Sequence, residues 1–442
     1  MNSTIAAIAT PSGRGGIGII RLSGPRALEL ASEATRFRGA WLPRHAHMLS
    51  WHDDTGNVLD SGIVLYFMAP QSFTGEDVIE FHGHGNPLLL QTMLERLIGL
   101  GAAMALPGEF SRRAVENGKM DLSQAEAVAA IVEAATLRAS HQAQRHLSGE
   151  FGRLVETLMD VITSVLAHVE ACLDFPDEDI PALLFDDLRA QVDEKLLKPL
   201  DTLLANANFG ERLFSGATVA IVGAPNVGKS SLMNALSGRD RAIVSEMEGT
   251  TRDTLEVDFE IHGVPMRLID TAGLRDSADI IEREGVRRAV QALSLADVVL
   301  FVADATRAET WSISDADIQD DVIKVMNKTD VADGPDFTDG FIHISAKAGI
   351  GLDQLGARLA ESLGELGASE ETLLVTRSRH RDALADARGY LGRGLDMLGH
   401  EQQLELVAAE WRLAWRALGS ILGIGDVEQV LDRVFAEFCI GK

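Results

Sequence analysis

The stretch G-A-P-N-V-G-K-S, Gly223 to Ser230, follows the apolar run A-T-V-A-I-V (Ala217 to Val222) and leads into the helical pattern S-L-M-N-A-L. A buried strand, a glycine-bounded turn and a helix start form the context in which G-x-x-x-x-G-K-[ST] has chemical meaning. Backbone N–H groups and the helix N-terminus can surround phosphate oxygens, a lysine can reach the outer phosphates, and a hydroxyl can ligate Mg²⁺. Here the lysine is Lys229 and the hydroxyl Ser230, with Asn226, Val227, Gly228 and Ser231 completing the loop and first turn. Taken alone the pattern could be a chance glycine-rich turn; the strand before it and the helix after it argue against that.

Three further elements lie at strand ends downstream. D-T-A-G (Asp270, Thr271, Ala272, Gly273) places a carboxylate where it can hold Mg²⁺ through water and a glycine N–H where it can sense the outermost phosphate. N-K-T-D (Asn327, Lys328, Asp330) offers a carboxylate matched to the N1–H and 2-amino donors of guanine, a pair that adenine lacks. S-A-K (Ser345, Ala346, Lys347) can present backbone N–H to guanine O6. Between the first two lies E-G-T-T-R-D-T, Glu248 to Thr254, where Thr251 would complete the Mg²⁺ shell. In this order the four elements predict a P-loop GTPase domain that selects GTP over ATP. The residue after D-T-A-G is Leu274, where Ras-like enzymes carry the glutamine that orients the attacking water. Glu282 and Glu284 in I-E-R-E-G-V are substitutes, and a solvated acidic helix face is the other reading; the residues alone leave the two open.

At 442 residues the chain exceeds a single core, and length suggests about three domains. No apolar run reaches a membrane span, and M-N-S-T-I-A-A-I-A-T has neither the basic start nor the cleavage site of a signal peptide. Two cysteines, Cys172 and Cys439, give no disulfide framework, so a reducing cytoplasm is expected. A net charge of −26 argues against indiscriminate binding to nucleic acid or anionic membrane. Residues 1–118 carry only −2 of it, so any RNA contact should be local and shared with a partner.

Texture divides the chain. Residues 1–119 hold β-like runs (G-I-G-I-I-R-L-S-G, S-G-I-V-L-Y-F-M-A-P, D-V-I-E-F-H-G-H-G) and a helical stretch at P-L-L-L-Q-T-M-L-E-R-L, a small α+β domain. From 120 to 212 apolar residues recur three and four apart, and D-L-S-Q (Asp121, Gln124) reads as a capped helix start. Residues 213–368 alternate apolar runs with helical patterns, the mark of a parallel α/β sheet, and helical texture returns over 369–442. The fold expected is multidomain α/β plus α: an N-terminal α+β domain, then a helical domain interrupted by an inserted Ras-like P-loop GTPase domain.

Other features read as structural. G-R-G-G-I-G (Gly13, Gly15, Gly18) fits a dinucleotide fingerprint but precedes a strand instead of opening a helix, so a glycine-rich turn of close approach is expected. His82 and His84 read as polar residues of a turn, with no third ligand to make a transition-metal site. D-F-P-D-E-D-I-P-A-L-L-F-D-D reads as a solvated acidic linker, Trp411 and Trp415 as a core stripe, and Cys172 as core.

Taken with the closing F-C-I-G-K (Phe438 to Lys442), these motifs resemble the MnmE (TrmE) family of tRNA-modification GTPases, and the likeness extends over essentially the whole chain. T-P-S-G-R-G-G-I-G-I-I-R-L-S-G, S-F-T-G-E-D-V-I-E-F-H-G-H-G, P-G-E-F-S-R-R-A-V-E-N-G-K-M-D-L-S-Q-A-E and D-F-P-D-E-D-I carry it outside the nucleotide motifs. The resemblance implies a folate-binding N-terminal domain that forms the homodimer, and a tail that reaches back to a tetrahydrofolate derivative (5-formyl or methylene). It also implies a flavin- and NADH-dependent MnmG (GidA)-type partner, with tRNA bound mainly in the complex. Together they would build an aminomethyl-type (carboxymethylaminomethyl) group on C5 of the wobble uridine. K⁺-assisted hydrolysis follows, with Asn226, Ser245, Met247 and Thr250 as K⁺ ligands and Glu246, Glu248 and Gly249 in the same loop against the nucleotide. Many relatives carry threonine where Ser245 stands. Glu282 falls where the family places its water-orienting glutamate. Arg21, Glu80, Lys119 and Lys442 match folate positions; without the resemblance Arg21 and Lys119 would be surface charges and Glu80 a strand-end residue.

Two alternatives are kept: a K⁺-dependent GTPase switch in ribosome assembly, and a folate-regulated scaffold without transfer chemistry of its own. For the tail, Cys439 is either a catalytic thiol or part of a docking peptide, and Phe438 and Ile440 favour docking.

Overall fold

The computed structural model describes residues 3–175, 182–224, 226–239, 256–270, 296–306, 322–331, 340–364, 372–399, 403–425, 428–436, 438 and 440–441. Two compact units emerge: Met1–Ala129 with His146–Val155 and Gly419–Lys442, and Ala130–Arg145 with Glu156–Leu418.

The first unit is built on a six-stranded sheet of order β3-β4-β5-β2-β1-β6. Its strands are β1 (Ile5–Ile8), β2 (Gly15–Ser23), β3 (His47–His52), β4 (Val58–Phe67), β5 (Val78–Gly85) and β6 (Ala103–Met104). All neighbours run antiparallel except β1 and β6. Helices α1 (Ala27–Thr35) and α2 (Pro87–Gly99) cover it, burying Leu30, Ala31, Leu90, Leu94 and Leu97 against Ile20, Leu22, Ile79 and Phe81. α2 starts where its chemistry says it should: Asn86 Oδ1 accepts from Leu88 N at 3.0 Å, and Pro87 takes the first turn, where its missing N–H is not needed.

Glycines 15 and 18 form no turn. They open β2, with a register shift between them, and a Cβ on Gly18 would stand 2.5 Å from Leu90 Cδ1. The close approach is that of α2 onto the sheet. His82 and His84 likewise lie in β5 rather than a turn, because Gly83 and Gly85 leave room for Asp60 and for the Gly15 backbone. His84 Nδ1 meets Asp60 Oδ1 at 2.7 Å. Burial alone would raise the Asp60 carboxyl, yet hydrogen bonds from His84 and Ser61 hold it below its ordinary range.

After α3 (Glu109–Glu116) comes α4 (Leu122–Glu133), and its start is a reciprocal capping box. Asp121 Oδ1 accepts from Gln124 N at 2.8 Å, while Gln124 Oε1 accepts from Asp121 N at 2.9 Å. Helices α5 (Leu137–Leu147) and α6 (Glu150–Asp174) follow.

In the second unit, α7 (Ala182–Val192), a π-helical turn (Asp193–Leu197), α8 (Lys198–Ala205), α9 (Ala207–Ser215), α12 (Ser378–Met397) and α13 (Leu404–Leu422) make the helical part. Ion pairs tie stretches remote in sequence: Arg388 to Asp201 at 2.6 Å, Arg412 to Glu170 at 2.7 Å and Arg381 to Glu211 at 2.9 Å. Trp411 is buried against Gly394, but Trp415 is half-buried, so the stripe is narrower than expected. Cys172 is half-buried on α6, not core; partial burial pushes its thiol up. The acidic stretch expected as a linker is helical from Ala182 onward.

The same unit holds the second sheet, of order β12-β11-β10-β7-β9-β8. Its strands are β7 (Ala217–Val222), β8 (Glu256–Ile261), β9 (Val264–Asp270), β10 (Val298–Asp304), β11 (Val322–Asn327) and β12 (Phe341–His343), with helices α10 (Lys229–Arg239) and α11 (Leu352–Ser362). Five strands run parallel and β8 runs antiparallel to β9. Burial on both faces explains the continuous apolar runs: Val219 and Ile221 face one cluster, Ala220 and Val222 the other. The β8–β9 turn is gripped by residues 136–138, with Thr136 Oγ1 donating to Gly263 O at 2.7 Å and Arg138 Nη1 to His262 O at 2.7 Å. After α13, α14 (Glu428–Ala436) belongs to the first unit.

Candidate functional site

β7 ends at Val222, the chain turns through 223–228, and α10 begins at Lys229. Three residues of that turn require left-handed or related backbone: Gly223 (φ 153°), Asn226 (φ 65°) and Gly228 (φ 99°). Gly223 leaves no space for a Cβ because Val302 O stands there, and at Gly228 the Asn327 side-chain amide does the same. Lys229 is 6% exposed, and its ammonium turns back into the loop, donating to Gly223 O at 2.8 Å and Ala224 O at 2.9 Å. The turn therefore closes around a buried positive charge. Ser230 and Ser231 follow on the exposed side of the first helical turn.

The ends of β10 and β11 meet this loop. Asn327, 2% exposed, donates from Nδ2 to Val227 O at 2.9 Å and accepts at Oδ1 from Ala346 N at 3.0 Å. One amide thus spans three segments. Lys328 (φ 65°) donates to Asn226 O at 2.8 Å and to Asp304 Oδ2 at 2.6 Å. Burial would raise the Asp304 carboxyl, but hydrogen bonds from Lys328 and Thr306 bring it below the usual carboxylate range. Asp330 is exposed in the turn beyond, and Ser345 is buried with its Oγ accepting from Ala348 N at 3.1 Å. Lys347 is exposed and Ala346 buried. Asp304 was not among the expected site residues; its signal was a carboxylate at the end of the apolar run V-V-L-F-V-A-D.

Of the remaining expected residues, Asp270 ends β9, which sets its backbone beside β7. Ser245, Glu246, Met247, Glu248, Gly249, Thr250, Thr251, Thr271, Ala272, Gly273 and Glu282 lie outside the described residues, as do Cys439 and Lys442.

A second cluster sits in the first unit. Arg21 on β2 and Glu80 on β5 are cross-strand partners, joined at 2.9 Å, and Glu80 also meets His82 Nε2 at 3.2 Å. The Arg21 guanidinium lies 5.4 Å from the Phe73 ring centre and 5.5 Å from that of Phe110, and donates to Gly441 O at 3.4 Å. Lys119 is exposed and donates to Pro70 O at 2.8 Å instead of joining that pair. Phe438 is buried against Phe435 and Gly108, whereas Ile440 is 56% exposed, so only one of the two expected apolar anchors is packed. The same unit holds a buried network that hydrophobic patterning could not reveal: Arg113, 5% exposed, bonds Glu76 at 3.0 Å and Glu109 at 2.7 Å.

Two family descriptions match the chain, MnmE helical domain over residues 122–439 and GTP-binding protein TrmE N-terminus over residues 4–119. The chain belongs to the MnmE family. It is 44% identical to the tRNA modification GTPase MnmE of Methylococcus capsulatus over 99% of this chain and 98% of that one. To the protein of the same name from Parvibaculum lavamentivorans it is 45% identical, over 99% and 100%. Among solved structures, the G domain of the T. maritima FeoB iron transporter is 30% identical and covers 33% of this chain and 98% of its own, with a TM-score of 0.26. As an MnmE-family member the chain is a GTPase acting in tRNA modification, which sets aside the ribosome-assembly reading. Its nucleotide site takes GTP or GDP with Mg²⁺. No helix among the described residues is long and apolar enough to cross a membrane.

Proposed function

We propose that this chain is a K⁺-assisted GTPase working with a flavin- and NADH-dependent MnmG-type partner. Together they install an aminomethyl-type group on C5 of wobble uridine in certain tRNAs, using a tetrahydrofolate one-carbon unit. The reading places it in the cytoplasm as a homodimer through the N-terminal domain. The observation that carries it is the closed loop around Lys229, braced by Asn327 and Lys328. Such a loop holds a phosphate chain by fixed N–H groups and one buried ammonium, with no reorganisation at the moment of transfer.

Lys229 would exchange its two carbonyl partners for phosphate oxygens, and Ser230 would ligate Mg²⁺. Asp330 would read the guanine edge and a backbone N–H of the S-A-K turn its O6. Asn226 is exposed at the crest of the loop with its carbonyl oxygen committed to Lys328, which leaves its side-chain oxygen for K⁺. Mg²⁺ and K⁺ supply positive charge beside the transferring phosphoryl group, the role of an arginine finger. With Leu274 in the glutamine position, Glu282 would orient the water.

For folate, the Arg21–Glu80 pair offers a cation and an acceptor side by side, half-buried between aromatic rings. The residues fit a pterin edge and a carboxylate. Lys119 and Lys442 would add cations for the glutamyl tail.

Nucleoside analysis of tRNA from a deletion strain tests the modification; unchanged wobble uridine would overturn it. Hydrolysis rates in K⁺ and Na⁺ test the cation, with at least about a tenfold loss expected in Na⁺. Equal turnover would remove K⁺ from the mechanism.

A further inference from the structure

Residues 34–52 contain no aspartate or glutamate, although the chain carries a net charge of −26. They run from the end of α1 through β3, the outermost strand of the first sheet, and include Arg36, Arg38 and Arg44. All three arginines are exposed, and among the described residues none has a carboxylate within ion-pairing distance. The neighbouring acid Asp53 is taken up by its own turn, accepting from Thr55 Oγ1 at 2.8 Å and Asn57 N at 2.7 Å.

Between the arginines runs a row of rings. Phe37 meets Trp41 edge-to-face at 5.0 Å, Trp41 meets His47 at 5.3 Å, and His47 meets His45 at 5.0 Å. Trp41 is fixed by Nε1 donating to Ser32 Oγ at 2.8 Å. The row is half-buried at Phe37, Trp41 and His47, so each ring is held on one side and presents an edge or face on the other.

The backbone adds an independent observation. Arg36, which caps the end of α1, has φ 57°, and Arg44 has φ 59°. Glycine is the usual occupant of a left-handed helix cap, and an L-residue there is strained by its own Cβ. At Arg36 the fold would be better served by glycine. Its guanidinium lies over Gly56, itself left-handed, with no hydrogen-bonded or ion-paired partner among the described residues.

We propose that residues 36–47 form a surface for RNA, resting on the tRNA-modification reading above. Arg36 and Arg38 take phosphate oxygens, and the exposed side of the ring row takes unpaired bases. Interleaved guanidinium groups and rings suit single-stranded or looped RNA, whose bases stack on aromatic faces while arginines hold the backbone. The patch is small, and it stands on the part of the chain that carries almost none of the negative charge.

Binding of the full-length protein to a tRNA transcript, followed by fluorescence anisotropy across salt concentrations, tests this. Arg36→Glu with Arg38→Glu should weaken binding at least about tenfold and flatten the logarithmic salt slope by roughly 1.5 to 2, with GTP hydrolysis unchanged. Arg36→Gly should leave the melting temperature equal or higher while weakening tRNA binding; a structural arginine would lower it. Unaltered affinity and slope in the double variant, or no tRNA binding by the wild-type protein, overturns the proposal. Equally tight binding of polyglutamate also overturns it and marks a protein-docking surface. Cells separate this from the parent reading. If wild type restores tRNA modification and the double variant does so fully, the RNA surface falls alone; if wild type fails to restore it, the modification reading falls.

Discussion

Asn327 Nδ2 donates to the carbonyl oxygen of Val227 at 2.9 Å, so a residue from the end of β11 holds the loop between β7 and α10. Its Oδ1 accepts from Ala346 N. Asn327→Ala would leave one buried acceptor and one buried donor without partners, each worth about 1–3 kcal/mol. The expected outcome is a stability loss of about 2–4 kcal/mol in urea denaturation and a fall of more than tenfold in nucleotide affinity. A loss below about 0.5 kcal/mol would show that the amide is not a brace.

The same site should respond to acid. The Asp304 carboxyl titrates below its unfolded value, so as pH falls the unfolded chain takes the proton first. Its contribution is present above the unfolded pKa and is lost as pH drops from about 4 through the folded value. Asp304→Asn should therefore be less stable than wild type at pH 7, and the gap should narrow toward about pH 3. Urea denaturation across that range reads it; a gap constant with pH would contradict it.

Asp330 stands exposed in the turn after β11. Asp330→Asn replaces an acceptor with an amide that can donate to a 2-oxo group, so preference should move from GTP toward XTP. Competition binding measures this. A variant that still favours GTP would mean that another residue reads the base.

Gly441 is left-handed (φ 99°), and a Cβ there would meet Ile8 O, with Ala9 Cα at 3.1 Å. Gly441→Ala should lift the tail from β1 and from Arg21, reducing tRNA modification in cells while GTP hydrolysis stays within about twofold, since the residues proposed to bind nucleotide belong to the other compact unit. Full modification by Gly441→Ala, with none by Cys439→Ser, would favour a catalytic thiol over a docked tail.

Legibility in the sequence followed chemistry more than periodicity. The loop 223–230 and the ends of β9, β11 and β12 were readable because each strand end carries a short motif of fixed chemistry at the same place. α3 was not: of its eight residues only Phe110, Ala114 and Val115 are clearly apolar, and its buried face includes Arg113, neutralised by Glu109 one turn earlier and by Glu76, which lies 37 residues away and outside any local window. α1 was hidden by its shortness and the preceding S-G-P-R. β8 leaves no such mark, because the apolar positions of E-V-D-F-E-I alternate, as an edge strand demands, and make no continuous apolar run. H-G-H-G reads as a turn because glycine usually marks one; here Gly83 makes room in a strand for the Asp60 carboxylate and Gly85 for the backbone of β2.

The helical part of the second unit is joined by pairs far apart in sequence: Arg412 with Glu170 across 242 residues, Gln142 with Thr372 across 230. Loop closure grows only with the logarithm of length, about 0.6 kcal/mol per doubling, so the intervening sheet domain weakens the helices by roughly 1 kcal/mol. Speed is another matter, because contacts between remote residues form late. The strands β7 to β12 lie within one continuous stretch and can close their sheet while α6 still awaits α13. The interruption leaves equilibrium almost untouched and is felt as a delay in assembly.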